Sequence, residues 1–300
     1  MLATLVLAAD SPVPHVLNHP TVVTESGLWL WSAHCTQLVL AGLIMLLIGP
    51  WAAKQIRTGP QSEGHKAYTT KNRFAHMIEV ISVYLRDKVV EPLLHERTNR
   101  FMPFLWTLFF FILVNNLIGL VPLLDLNHLL VPSMKADHTA FIGGTATQNL
   151  WVTGMLAAVS AIVINIAGIK ELGLKGYLSH LTAGTKFPVS LLLVPIEIAG
   201  IFIKPVALAI RLFANMTAGH ILLATLFMFC GLAFAKGAIL GVPVTLVSTI
   251  AAVAIMFLEL FVAFLQAFVF MFLTTVFISM LSHHGEHEHE HGHGEPAHAH

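Results

Sequence analysis

Apolar residues run along this chain in blocks too long for the interior of an ordinary soluble domain. Blocks of about 18 residues or more cross the ~30 Å hydrocarbon core of a bilayer at 1.5 Å per residue. They lie at 28–50, 101–124, 148–169, 189–234 and 243–282. The pattern predicts an all-α polytopic membrane protein with about five membrane-embedded helices. The last two blocks exceed one perpendicular crossing, so they read as long helices that tilt or bend within the membrane. Gly231, Gly237, Gly241 and Pro243 mark a corner between them, and the pair then folds into an antiparallel hairpin over 189–282. The expected organisation is 1–27 outside the membrane, one membrane domain over 28–282 and a tail over 283–300.

Polar positions refine the picture. In FAHMIEVISVYLRDKVVEPLL, Phe74, Met77, Ile78, Ile81, Leu85 and Val89 form one stripe of a 3.6-residue helix, with Glu79, Arg86 and Asp87 on other sides. This is an amphipathic helix, either lying on the membrane surface or packed on protein in the loop. Lys54, Arg57, Lys66, Lys71, Arg73, Arg86, Lys88, Arg97 and Arg100 fill the first connection, and Lys170, Lys175 and Lys186 the third. By the positive-inside rule both loops are cytoplasmic. The N-terminal segment and the connections holding Lys135 and Lys236 are then outside, giving five spans with the N-terminus out and the C-terminus in. Residues 1–9 are apolar without a basic stretch and are left unassigned as a signal peptide.

Composition agrees: 56% of the 300 residues are hydrophobic and 11% charged, with mean hydropathy +0.77, far from a soluble mixture. The two cysteines, Cys35 and Cys230, exclude a disulfide framework and read as a single pair or as two free thiols. Phosphate loops of the GxxxxGK[ST] type, HExxH helices and GxSxG elbows are missing from the sequence, so no bond chemistry, cofactor or nucleic-acid partner is expected. The tail alternates histidine with glutamate and glycine and reads as disordered. Its His283, His284, His287, His289, His291 and His293 are weak metal candidates, a loose sponge more than a defined site.

Between Val189 and Ser282 the ionisable residues are Glu197, Lys204, Arg211, His220, Lys236 and Glu259. Such residues in a membrane are costly and mark a path, a counter-ion or a relay. Arg211 is too deep to snorkel, being about 22 residues from either end of its apolar block, roughly 33 Å of helix. A buried pair with Glu197 or Glu259 is the structural alternative. Lys204, Ala207, Leu208, Ala214, Asn215 and Ala218 share the Arg211 face, a stripe of mostly small residues on which another helix can approach closely. A hairpin corner near Ile239 brings His220 level with Glu259 and Arg211 level with Gln266. Arginine keeps its proton and can only attract or repel charge. Histidine exchanges protons near neutrality, and a carboxylic acid does so when its surroundings disfavour the charged form. The set reads as a proton path with a fixed positive charge in it.

KPVALAIRLFANMTAGH and FLELFVAFLQAFVFMFLTTVFISM resemble the two long membrane helices of the subunit a family of F-type ATP synthase, with weaker likeness in FFFILVNNLIGLVP at 109–122. The resemblance implies an ion-translocating stator: two half-channels beside a rotating ring whose carboxylates are loaded from one and emptied into the other. It implies partners in the c-ring, the subunit b stalk, the rest of the complex and membrane lipid, and an energy-transducing plasma membrane. It places the family's essential arginine at Arg211, polar neighbours at Asn215 and Gln266, and channel positions at Glu197, His220 and Glu259. Some members carry glutamate where His220 stands and histidine where Glu259 stands; here the two are exchanged. The rivals are a secondary transporter, for which the sequence shows no internal repeat, and a purely structural subunit, which gives Arg211 no purpose.

Overall fold

The computed structural model describes residues 20–23, 29–56, 70, 72–121, 145–181 and 189–290. A short antiparallel hairpin, β1 (Pro20–Val23) and β2 (Trp29–Ser32), precedes the helices. It was not legible in the apolar pattern: the first block, 28–50, begins Leu28-Trp29-Leu30-Trp31, and tryptophan is a residue type that suits a strand. Helix α1 then runs Ala33–Gln55. Next come α2 (Arg73–Tyr84), a π turn (Leu85–Val90), α3 (Glu91–Leu94) and α4 (Thr98–Gly119). After a 3-10 turn at Ala146–Gln148, α5 covers Leu150–Leu181, α6 Val189–Ala235 and α7 Ala238–Glu290.

Among the described residues five helical stretches are long and apolar enough to cross a membrane: Ala33–Gln55, Arg73–Gly119, Leu150–Lys170, Leu192–Ala235 and Ala238–Met280. The chain is a multi-pass membrane protein. The 44 residues of the fourth span would extend roughly 66 Å at 1.5 Å each, about twice the hydrocarbon thickness, so a perpendicular straight crossing does not accommodate them and a tilt or a bend is required.

Residues cluster into two compact units, each drawn from three stretches of chain: 1–51, 109–153 and 210–268 in the first, and 52–108, 154–209 and 269–300 in the second. In the first, Phe109, Ile112, Leu212 and Ala263 are fully buried. Phe109 meets Phe264 edge to face at 5.6 Å between centroids, a geometry that adds about 0.5–1.5 kcal/mol to the buried area. Gln37 Nε2 donates to the Asn115 carbonyl at 3.2 Å and fastens α1 to α4. The α6–α7 hairpin closes within this unit. Its corner is Lys236–Gly237, where Gly237 has φ 120°, a value that side-chain-bearing residues avoid. The Gly237 amide donates to the Phe234 carbonyl at 3.0 Å. The corner thus precedes its expected place near Ile239, which is 92% exposed in the first turn of α7.

In the second unit the expected amphipathic helix forms over Arg73–Tyr84, but its apolar stripe does not run on unbroken. Phe74, Met77, Val80, Val83 and Tyr84 are exposed, while Leu85 and Val89 of the expected stripe are buried. The π turn resets the helix's angular phase between these halves, which a 3.6-residue count cannot anticipate. Trp106 Nε1 donates to the Ser82 carbonyl at 3.1 Å, tying α4 to α2. The two helices are separated at His95, whose φ of 46° is rare for a residue other than glycine.

A second departure is at the tail. Helix α7 continues to Glu290, so 283–290 is helical where disorder was expected; propagating an existing helix avoids the cost of nucleation. His291 and His293 lie outside the described residues, as do 1–19, Arg57, Lys66, Lys71, Lys135 and Lys186.

Candidate functional site

The first unit holds Arg211, Asn215, His220, Glu259 and Gln266. Arg211 is exposed on α6, and so are Ala214, Asn215 and Ala218. These positions are three or four apart and form one stripe of the helix surface. Among the described residues Arg211 makes no hydrogen bond or ion pair, so the buried structural pair is not formed. Asn215 Nδ2 donates to Gln266 Oε1 at 3.1 Å. Gln266 is 1% exposed, and its Nε2 has no partner among the described residues. Expected opposite Arg211, Gln266 is instead bonded to the residue one turn further along α6.

His220 and Glu259 lie at similar positions along the hairpin but address different neighbours. Glu259 packs on Gly219, where a Cβ would overlap its carboxylate. The His220 ring meets Thr145, Nε2 to Oγ1, at 3.0 Å. Among the described residues no hydrogen bond or ion pair joins the two. The reason is angular: successive helical residues point about 100° apart, so with Gly219 facing α7, His220 turns toward the 145–148 turn. Glu259 is 7% exposed and its Oε2 has no hydrogen-bond partner among the described residues, a state that costs about 1–3 kcal/mol and calls for a functional reason.

Around them is a buried polar network. Thr145 and Gln148 form a reciprocal capping box. Gln148 Nε2 reaches the Met216 carbonyl at 3.4 Å. Thr147 Oγ1 donates to Asn116 Oδ1 at 2.9 Å, and Asn116 Nδ2 to the Ala263 carbonyl at 3.3 Å. Gly119 lets Thr145 come close, since a Cβ there would overlap its side chain. Thr145, Thr147, Gln148 and Asn116 were not singled out in sequence. Two signals could have found them: T-x-x-Q ahead of an apolar run is a capping-box pattern, and adjacent asparagines within an apolar block are the residues a membrane penalises.

Glu197 belongs to the second unit. It lines a pocket there with Asn165, Tyr177, Lys204 and Phe277. Burial first, and the Glu197 carboxylate second, raise the Tyr177 phenol above its usual range, which makes Glu197 and Tyr177 neighbours. Tyr177 donates a short hydrogen bond to Asn165 Oδ1. Among the described residues no three His, Cys, Asp or Glu side chains gather as a metal site.

The chain as a whole is similar to known proteins. The profile of the family described as ATP synthase A chain matches residues 35–279. The chain is 37% identical to "ATP synthase subunit a 2" of Chlorobaculum tepidum, over 84% of this chain and 63% of that protein. It is 38% identical to "ATP synthase subunit a" of Chloroherpeton thalassium, over 88% of this chain and 70% of that one. With the Myxococcus xanthus protein of that name it shares 42% identity over 75% of this chain and 67% of the relative. The chain thus spans somewhat under two thirds of the length of the first of these relatives.

Proposed function

Because the chain belongs to the ATP synthase A chain family, we propose that it is the ion-translocating stator subunit of an F-type ATP synthase. In this reading it carries protons between two half-paths beside a ring of carboxylate-bearing subunits. Arg211 is the fixed charge. Standing exposed on a stripe of small residues, with no partner among the described residues, it has room for a neighbouring helix and a free guanidinium for that helix's carboxylate. This observation carries the reading. An arginine that stays charged holds a passing carboxylate ionised and bars protons from crossing directly between the half-paths.

His220, Thr145 and Glu259 serve one half-path, with Asn116, Thr147 and Gln148 as its polar wall and the Asn215–Gln266 pair beside the arginine. Histidine and carboxylate side chains hand protons on, while hydroxyl and amide groups orient intervening water. Glu197 serves the other half-path. The partners are the c-ring, the subunit b stalk, the rest of the synthase and lipid. The setting is an energy-transducing plasma membrane, with the N-terminus outside and the C-terminus in the cytoplasm.

The test is ATP-driven acidification of inverted vesicles. Arg211→Ala abolishes pumping, and Arg211→Lys nearly so, because an ammonium lacks the planar fork and deprotonates more readily. A lysine variant pumping at the parent rate overturns the assignment. A protonophore collapses the gradient, and removing sodium leaves it intact.

A further inference from the structure

Helix α4 is fastened from two sides, and only one of them faces the residues assigned to the ion path. From α1, Gln37 Nε2 donates to the Asn115 carbonyl at 3.2 Å. Toward α7 the next residue, Asn116, donates from Nδ2 to the Ala263 carbonyl at 3.3 Å, and Phe109 meets Phe264. The crossing of α4 on α7 therefore falls between Glu259 and Gln266, which stand one turn before Ala263 and one turn after it on the same face. Gln37, Asn115 and Asn116 are fully buried. The attachment to α1 leaves two acceptors unmet: Gln37 Oε1 and Asn115 Oδ1 have no hydrogen-bond partner among the described residues, and Asn115 Nδ2 turns back to the Phe111 carbonyl at 2.8 Å. Apolar residues of similar volume would pack α1 on α4 without that loss, so the amide calls for a functional reason. Apolar surfaces slide on one another at little cost, whereas a hydrogen bond fixes depth and rotation. Depth matters for Glu259, which is seated on Gly219, where a Cβ would overlap the carboxylate; the residues on either side, Ala218 and His220, both carry one. A slide of α7 by roughly 1.5 Å, the rise of one residue, takes the Asn116 bond beyond hydrogen-bond range and moves the carboxylate off its glycine.

We propose that Gln37 is a positioning residue for the ion path: by holding the Asn115 carbonyl it sets the depth and rotation of α4, and through Asn116 on Ala263 the depth at which α7 presents Glu259 and Gln266 to α6. Gln37 acts through α4 and takes no part in proton exchange, since an amide has no titrating proton near neutrality. The inference rests on the ion-path reading above.

The experiment follows ATP-driven acidification, ATP hydrolysis and recovery of the intact complex in inverted vesicles. Gln37→Leu, close in volume, keeps α1 packed on α4 and lowers acidification per ATP hydrolysed about two- to tenfold, with the complex recovered in the parent amount. Asn116→Leu lowers it as well, and the double variant is little worse than the poorer single, because both residues serve one attachment; two independent packing defects add instead. Gln37→Glu separates the donor from mere bulk. Its carboxyl offers an O–H to the Asn115 carbonyl only while protonated, and once ionised sets a charge against that carbonyl. Acidification therefore stays near the parent rate at acidic pH and falls as pH rises. His34, one turn away, is the titratable side chain on that side of α1, and α4 carries none past Arg100; the parent keeps both, so its pH profile is the control. Should Gln37→Leu fail to assemble, the pH profile of Gln37→Glu decides. Gln37→Leu at the parent rate, additive losses with Asn116→Leu, or a Gln37→Glu profile identical to the parent's overturns the inference and leaves the ion-path reading standing. Arg211→Lys pumping at the parent rate overturns that reading first.

Discussion

Gly219→Ala adds a single methyl group and strikes at the placement of Glu259. A Cβ at position 219 overlaps the carboxylate oxygen and stands 2.9 Å from Glu259 Cδ and 3.0 Å from Cγ, where ordinary contact begins near 3.4 Å. Either the carboxylate rotates away or α6 and α7 part locally. Overpacking of this kind costs about 1–3 kcal/mol. At roughly 1.4 kcal/mol per factor of ten, about 5- to 150-fold fewer complexes keep the carboxylate in its seat, and proton flux falls in proportion. The assay compares ATP-driven acidification with ATP hydrolysis in the same vesicles, plus recovery of the intact complex from detergent. Pumping drops while assembly is preserved, because the clash is with a side chain and not with the partner's backbone. Adding Glu259→Asp, shorter by one methylene, recovers part of the flux in the Gly219→Ala background and lowers it in the parent. Pumping at the parent rate in Gly219→Ala, or the same loss from Glu259→Asp in both backgrounds, refutes the claim that Gly219 exists to seat this carboxylate.

Three further outcomes follow from the site. His220→Ala and Glu259→Gln each slow proton flux, and the double variant is little worse than the poorer single, since residues on one path are non-additive; additive losses in the same vesicle assay mean separate routes. Thr145→Val, nearly isosteric, removes the hydrogen bond to His220 and lowers flux about five- to thirtyfold, on ~1–2 kcal/mol for a lost buried bond, whereas Thr145→Ser retains most of it. Truncation after Ser282 removes the last turns of α7 and the histidine tail but leaves the span to Met280 intact. The truncated protein assembles and pumps, and added zinc inhibits both forms equally; inhibition confined to the full-length protein makes the tail a regulatory site.

The long periods were readable in the sequence because membrane crossing depends on length and apolarity alone, which is why four of the spans among the described residues and the α6–α7 hairpin stand close to their expected limits, whereas the second, expected at 101–124, is continuous with the amphipathic stretch and begins at Arg73. Contact partners were not, because they depend on angle as well as depth. Expecting His220 opposite Glu259 gave the right height along the hairpin and missed by one residue in rotation, so that Gly219 meets the carboxylate. The π turn at Leu85–Val90 and the break at His95 carry no glycine of their own and were hidden for that reason. The Thr145–Gln148 cap was visible as a pattern, but nothing in one sequence says that such a turn comes back against α6.

Arg211 also bears on how long this protein survives by itself. A guanidinium turned outward from a membrane helix costs about 2.5–3.5 kcal/mol on insertion scales, a large share of the 5–15 kcal/mol that typically separates folded from unfolded protein. Until a neighbour covers that face, the subunit is therefore poorly anchored in its own fold and more open to membrane proteases. Copies made in excess of their partners are therefore expected to be lost faster than covered copies, which a pulse-chase of the subunit with and without its partners checks. On the ion-path reading proposed above, the residue assigned to transport would also set how long an uncovered copy lasts.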